Sequence, residues 1–349
     1  MSSIKIGNKV IGENNPVFII AEAGINHNGD LETAKKMIEV ASEIGADAIK
    51  FQTGKVSETI IKNAPKAEYQ KNSDKDEETQ YEMIKQVELT DEEWLELCKF
   101  SKKKDIIFFS KPSYEGAVPL LLKMGIPVFK IGSGDVTHLS LIRKVAKTKL
   151  PIILSTGMST MEEIKEAVDT IKGEGNKNII LLHCTSNYPT DYENVNLKAM
   201  LTLKDKFDLP VGYSDHTIGT DVPTAAVALG ACVIEKHFTL DKSMKGPDHK
   251  ASMEPEEFKV MVKKIRDTEK ILGSADKKPT PSEKDVRSAA RKSIVANSDI
   301  KKGEIIKEEH LAFKRPGIGL TQKYLKDIIG KKARTDIKKD TILDLNMID

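Results

Sequence analysis

Eight short, nearly continuous apolar runs recur along the chain, each followed by a longer stretch of helical period. This alternation restricts the fold more than any other feature. The runs cover residues 17–21, 48–51, 106–109, 128–131, 152–154, 179–182, 211–213 and 233–235. Short β-branched runs without polar alternation are what strands buried on both faces of a parallel sheet require. The intervening helices carry legible start signals. Thr90-Asp-Glu-Glu93 and Ser159-Thr-Met-Glu162 read as capping boxes, and Asp30 as the N-cap of a helix over 31–44 that Gly45 closes. Eight such units in about 270 residues predict a (β/α)8 barrel. The alternative is a doubly wound open sheet, which would place a GxGxxG turn after the first strand. Ala23-Gly-Ile-Asn-His-Asn-Gly29 is not that fingerprint.

Two segments break the regularity. Residues 53–89 are long, charged and weakly periodic, which above a barrel predicts a lid or substrate loop. Gly273-Ser-Ala-Asp-Lys-Lys-Pro-Thr-Pro-Ser282 is rich in breakers and charge. The expected organisation is therefore a barrel over 1–275, a linker over 276–291 and a small second domain over 292–349. In that last part Ser293-Ile-Val-Ala296, Glu304-Ile-Ile-Lys307 and Thr341-Ile-Leu-Asp-Leu345 are strand-like.

Charge narrows the partners. Lys and Arg number 55 against 53 Asp and Glu, a formal charge of +2, which gives no basis for nucleic-acid binding or attraction to an anionic membrane. No apolar run approaches the roughly 18 residues of a membrane span, and the N-terminus lacks a signal peptide's apolar core. Three scattered cysteines, Cys98, Cys184 and Cys232, make no disulfide framework and predict a cytoplasmic chain.

In a (β/α)8 barrel the chemistry sits where the strands end. Glu22, Asn26 and His27 follow the first run, Lys50 and Gln52 share one face of the second, and Ser110 and Lys111 close the third. Lys130, Ser133 and Asp135 follow the fourth, Ser155 the fifth, Cys184 and Ser186 the sixth, Ser214 and His216 the seventh, Glu235 and His237 the eighth. Lysines in otherwise apolar strands, with serines nearby, suggest a pocket for phosphate and carboxylate, unless their tips simply solvate at the rim. His216 and His237 end consecutive strands and could converge on one divalent ion. Imidazole suits Mn, Fe, Co or Zn better than Mg, and two ligands leave positions open for water and substrate. Hydrogen bonding alone is the other reading of each histidine, and His27, His183 and His249 are weaker ligand candidates. Glu22 and Glu235 point inward by strand parity, either as a general base or as partners of the lysines.

These strand ends resemble the sialic acid synthase family, which condenses phosphoenolpyruvate with an N-acylated hexosamine. The matching pieces are Ile20-Ala-Glu-Ala-Gly-Ile-Asn-His-Asn-Gly29, Ile49-Lys-Phe-Gln52, Lys130-Ile-Gly-Ser-Gly134 and Leu154-Ser-Thr-Gly-Met158. They continue in order through Gly212-Tyr-Ser-Asp-His216, Glu235-Lys-His-Phe238, Gly246-Pro-Asp248 and Lys314-Arg-Pro-Gly-Ile-Gly319. The resemblance implies a TIM barrel with a C-terminal antifreeze-like (SAF) domain, assembled as a homodimer with that domain swapped over the partner's barrel. It implies Lys50, Ser110, Lys130, Ser133, Ser155, Ser186 and Ser214 at phosphoenolpyruvate, and Gln52, Asp135, Tyr188, Asp248 and the partner-reaching Arg315 at the amino sugar. It also implies His216 and His237 as ligands of a divalent metal, commonly Mn2+ with Mg2+ or Co2+ as alternatives, and Glu22 as the base.

N-acetylmannosamine, giving N-acetylneuraminate and phosphate, is the expected sugar. Asp135 stands where N-acetylneuraminate synthases tend to have Glu, and Gly246-Pro-Asp-His-Lys-Ala-Ser252 resembles the legionaminate-type relatives, which use 2,4-diacetamido-2,4,6-trideoxymannose. A carbohydrate-binding protein with an inactive barrel is the non-enzyme alternative, and a phosphorylated-sugar synthase of the octulosonate type a third reading.

Overall fold

The computed structural model describes residues 3–66 and 79–349, and the chain divides into two compact units, Met1–Gly273 and Ser274–Asp349. In the first, a hairpin of β1 (Ile4–Ile6) and β2 (Lys9–Ile11) precedes eight parallel strands. These are β3 (Phe18–Gly24), β4 (Ala48–Thr53), β5 (Ile107–Pro112), β6 (Phe129–Ile131), β7 (Ile152–Ser155), β8 (Ile179–His183), β9 (Val211–Asp215) and β10 (Val233–His237). Their hydrogen-bonded order is β5-β4-β3-β10-β9-β8-β7-β6, with β5 and β6 lying side by side where the ring meets, so the sheet is a nearly closed (β/α)8 barrel.

Every predicted run is a strand, and most extend one to three residues further at their C-terminal ends. Most of the residues gained there, Glu22, Gln52, Asp215 and His237 among them, are polar. Helix Leu31–Glu43 is capped by Asp30, whose carboxylate accepts from Thr33 N, and Gly45 at φ +84 turns the chain out of it. Helix Asp91–Lys103 has the predicted Thr90–Glu93 capping box. The other box lies one residue later than expected. Thr160 caps helix Met161–Gly173 and pairs with Glu163, because Ser-Thr-Met-Glu-Glu offers the same pattern in two registers.

Strand register sets which side chains face inward. Glu22 pairs with Lys50 and with His237, Glu235 with Ser214, and Lys50 with Phe109. Partners across a ladder share a face, so one layer of the interior is built from Glu22, Lys50, Phe109, Lys130, Ser214 and Glu235. Below it lies an apolar plug that includes Ile20, Ala48, Ile153 and Ile180, all fully buried.

Of the expected lid over 53–89, residues 67–78 lie outside the described residues. On either side are a turn at Val56–Glu58 and a helix at Gln80–Lys85, started by a Thr79–Glu82 capping box.

The C-terminal unit pairs β11 (Ser293–Ala296) with β12 (Leu311–Lys314) and buries Ile294, Ile300, Ile306, Ile328, Ile337 and Ile348. Residues 304–307 and 341–345 are not strands but make isolated bridges, Ile305 to Lys332 and Ile342 to Val295. The stretch expected as linker contains an exposed helix, Lys284–Ala290, and groups with this unit.

Candidate functional site

At the C-terminal end of the barrel, four charged side chains with almost no exposure form one cluster. Lys130 Nζ donates to both oxygens of Glu235, at 2.7 and 2.8 Å, and Ser214 Oγ donates to Glu235 Oε1 at 3.2 Å. Lys50 Nζ lies 2.9 Å from Glu22 Oε2 and 3.4 Å from Glu235 Oε1, while Gln52 Nε2 donates to Glu22 Oε1 at 3.2 Å. Isolated burial of such charges is prohibitive, so their mutual pairing is the condition for their being there.

The two carboxylates differ. Burial raises both, but at Glu235 the Lys130 and Lys50 ammonium groups outweigh it and hold the group well below the usual carboxylate range. At Glu22 burial prevails over Lys50 and the carboxyl is pushed up. Two ammonium groups thus face one firmly ionised carboxylate, which leaves the cavity biased toward an anionic ligand.

Beside the cluster, hydroxyls gather around the turn after β7. Gly157 N donates to Ser133 Oγ at 3.1 Å, and Ser133 Oγ lies 3.2 Å from Cys184 Sγ. A Cβ at position 157 would come within 2.9 Å of both those groups, with Ser186 Oγ nearer still. Ser155 Oγ is buried and has no hydrogen-bond partner among the described residues. Several hydroxyls gathered about a glycine turn, at the same end of the barrel as two ammonium groups, are the donor types that an anionic ligand would need.

His216 and His237 follow on the same side. Their ring centroids are 5.6 Å apart, and Tyr188 packs on both, at 4.1 and 5.5 Å. Burial lowers each to about 3, assisted by His237 at His216 and by Lys50 at His237, so both rings are neutral. His216 Nδ1 contacts Thr185 O at 2.6 Å, and since a carbonyl only accepts, Nδ1 carries the proton and Nε2 presents its lone pair. His237 Nδ1 is buried with no partner among the described residues. With metal–nitrogen bonds of about 2.1 Å, two rings sharing an ion have centroids roughly 5–6 Å apart, as these do. The donor set therefore fits a divalent cation of borderline softness. No group of three or more His, Cys, Asp or Glu that could hold a metal is found among the described residues; an ion held by these two rings alone would keep coordination positions for water or substrate.

Toward the rim, Lys111 Nζ pairs with Asp135 Oδ2 at 3.1 Å. A Cβ at Gly24 would meet Gln52 Nε2, Glu22 Oε1 and Asp248 Oδ2 within 3.8 Å, which puts Asp248 beside the cluster. Burial and the neighbouring Glu22 raise Asp248 to about 7. Arg315 lies exposed in the C-terminal unit, directly after β12.

Ser110 is not where the sequence suggested. Register puts it on the opposite face of β5 from Lys111, fully buried against the helical layer, with its hydroxyl 2.8 Å from Thr53 Oγ1. Alternation along the strand hands the inward position to Lys111. The weaker ligand candidates also separate from the pair. His183 contacts Val195 O, His27 packs between Phe51 and Trp94, and His249 bridges Thr239 and Asn28.

The model of the NeuB family matches residues 37–277, and that of the SAF domain residues 291–349. An N,N'-diacetyllegionaminic acid synthase of Legionella pneumophila is 48% identical over 97% of this chain and 96% of that protein. Another of that name from Campylobacter jejuni is 49% identical over 93% of this chain and 98% of its own length. The crystal structure of an N-acetylneuraminic acid synthetase from Leptospira borgpetersenii, in complex with citrate, superposes with a TM-score of 0.74 at 39% identity, covering 82% of this chain and 95% of that one. Barrel, cluster and comparisons agree: the chain belongs to the NeuB family, the phosphoenolpyruvate-utilising condensing enzymes that make sialic, legionaminic and pseudaminic acids.

Proposed function

We propose that this enzyme condenses phosphoenolpyruvate with 2,4-diacetamido-2,4,6-trideoxymannose and water, giving N,N'-diacetyllegionaminic acid and phosphate. The observation that carries the choice of sugar is the Lys111–Asp135 pair. An aspartate drawn aside by a lysine leaves more room than a glutamate would, and a 4-acetamido group needs that room. The names of relatives 48% and 49% identical point the same way.

In this reading Ser133, Ser155, Ser186 and the Gly157 amide receive the phosphate, and Lys50 and Lys130 offset the negative charge of the substrate. His216 and His237 would hold a divalent cation, Mn2+ by preference, which would supply Lewis-acid polarisation for the carbonyl of the open-chain sugar. Gln52, Tyr188 and Asp248 hold that sugar so that its aldehyde carbon faces C3 of phosphoenolpyruvate. The C2=C3 π electrons of phosphoenolpyruvate form the new C3–carbon bond as the aldehyde C=O opens, water adds at the electron-deficient C2, and Glu22 passes the proton it takes from that water to the aldehyde oxygen, which ends as a hydroxyl. The C2–O bond to phosphate then breaks, the C2 hydroxyl proton leaves with the phosphate, and C2 becomes the carbonyl of the 2-keto acid.

Large apolar side chains stand exposed on the barrel loops at this end, Met158 at 72%, Ile218 at 66% and Tyr192 at 57%, and Ile318 beside Arg315 at 70%. They support a homodimer in which the partner's C-terminal unit covers the mouth and brings its Arg315 to the sugar. The three buried, unpaired cysteines support a cytoplasmic location. Among the described residues no helix is long and apolar enough to cross a membrane.

The test is competition. With both sugars at equal concentration, phosphate release stopped by EDTA and restored by Mn2+ should yield the diacetamido product in at least about tenfold excess, a difference of roughly 1.4 kcal/mol. An excess of N-acetylneuraminate would reverse the assignment. Asp248 adds a pH signature. Being raised to about 7, it is protonated below neutrality and gains its acceptor charge above it. The KM for the sugar should therefore fall as pH rises through about 7, and Asp248→Asn should flatten that dependence; an unchanged profile would remove Asp248 from the sugar site.

A further inference from the structure

On the outward side of the same strands, one residue from each imidazole, lies a second buried ion pair. Lys236 and Asp215 are 1% and 0% exposed, with Nζ 2.5 Å from Asp215 Oδ2. Lys236 also donates to the Thr217 carbonyl, and Asp215 Oδ1 accepts from Thr217 N at 3.0 Å. Strand alternation turns Asp215 and Lys236 away from the cavity that Ser214, His216, Glu235 and His237 face. Neither charge can reach a substrate.

We infer that the Lys236–Asp215 pair positions the two metal-ligating imidazoles by locking the end of β10 to the end of β9 and its following turn. The inference rests on the metal site of the proposed function. One ladder step, Lys236 to Asp215, is the last register contact between these strands before the histidines. Beyond it the ammonium group binds both Asp215 and the Thr217 carbonyl, and so brackets His216 from the two sides in sequence.

The two rings depend on this lock unequally. His216 has its own restraints, its ring against Thr185 O and its carbonyl accepting from Thr190 N at 2.9 Å. His237 Nδ1 has no partner among the described residues; its backbone is held by Met253 N, which donates to its carbonyl at 2.8 Å, and by its register with Glu22 on β3, where Phe238 N donates to Glu22 O at 2.8 Å. With no hydrogen bond on that nitrogen to aim the ring, its place relative to His216 follows from the backbone of β10, which β3 holds on one side and the Lys236–Asp215 pair ties to β9 on the other. Groups that orient metal ligands commonly govern affinity by roughly 10–100-fold.

The test uses the full-length protein and Mn2+ itself. Lys236→Met/Asp215→Leu replaces the whole pair with apolar side chains, the exchange that buried ion pairs tolerate best. Asp215→Asn is the second variant, keeping the shape and the Thr217 contact while removing the charge. Mn2+ affinity is read by calorimetry and by the electron paramagnetic resonance of the bound ion, with phosphoenolpyruvate binding and thermal melting measured alongside. Each variant that folds should bind Mn2+ tenfold or more weakly, with an altered spectrum and phosphoenolpyruvate affinity within threefold of the parent. Wild-type Mn2+ affinity in either folded variant would overturn the inference. Failure of the parent itself to bind Mn2+, or binding unaffected by His237→Ala, would instead overturn the metal site and the inference with it.

Discussion

Lys130→Met should lower kcat/KM for phosphoenolpyruvate by roughly 100- to 1,000-fold and destabilise the fold by about 3–5 kcal/mol. Both effects come from one contact. Lys130 is 2% exposed and holds both oxygens of Glu235, which is 4% exposed and ionised because ammonium groups surround it. Without Lys130, Glu235 keeps only Lys50 at 3.4 Å and Ser214 at 3.2 Å, and it must either protonate or remain a poorly compensated buried charge. The double variant Lys130→Met/Glu235→Leu separates the consequences. Replacing the pair with apolar groups should recover most of the stability, while turnover stays lost because the ammonium group facing the substrate is gone. Denaturant melts and initial rates read the two quantities; single-variant activity within fivefold of wild type would refute a role for Lys130 in charge stabilisation.

How far the sequence carried this picture depended on which physical rule applied. The barrel was legible because its strands are buried on both faces and are therefore apolar without interruption, as in Ile152–Ser155 and Ile179–His183. The hairpin Ile4–Ile6 and Lys9–Ile11 was not, since three-residue strands joined across Gly7 are too short to show a period. At the site, two-residue alternation placed Lys50 and Gln52 together and Glu22 and Glu235 inward. The same rule at the third strand would have selected Lys111 over Ser110, because Ser110 pairs with Phe51, which faces the helices, and Lys111 with Gln52. Asp215 and Lys236 show the opposite difficulty. Charged residues beside His216 and His237 look like members of the active site, and only strand register reveals that they turn away from it. The Lys111–Asp135 pair joins the ends of β5 and β6, consecutive strands that a (β/α)8 barrel sets side by side, but Asp135 lies in the turn beyond β6, where strand alternation does not say which way a side chain points.

Glu22→Gln should lower kcat by roughly 100- to 10,000-fold while leaving the KM for phosphoenolpyruvate within a few-fold and the melting temperature unchanged or higher. The reasoning turns on the difference between the two inward carboxylates. A base must be ionised to act and must hold its proton once it has taken it, which favours a group whose affinity for protons lies near the working pH. Glu235, flanked by two ammonium groups, is too weak a base for that task. Glu22 is raised by burial and has a single lysine at 2.9 Å, so it can accept a proton from water beside the reacting carbon. The amide of Gln keeps the contact with Gln52 and the packing of a side chain only 2% exposed, but it cannot take a proton. It also relieves the burial of a carboxylate, so losing the base should cost no stability, unlike losing Lys130. Glu235→Gln should do the reverse, weakening phosphoenolpyruvate binding and lowering the melting temperature. If instead Glu22→Gln raised KM with kcat preserved, and Glu235→Gln removed kcat alone, proton transfer would belong to Glu235 and the ammonium groups around it would have to move before the water step.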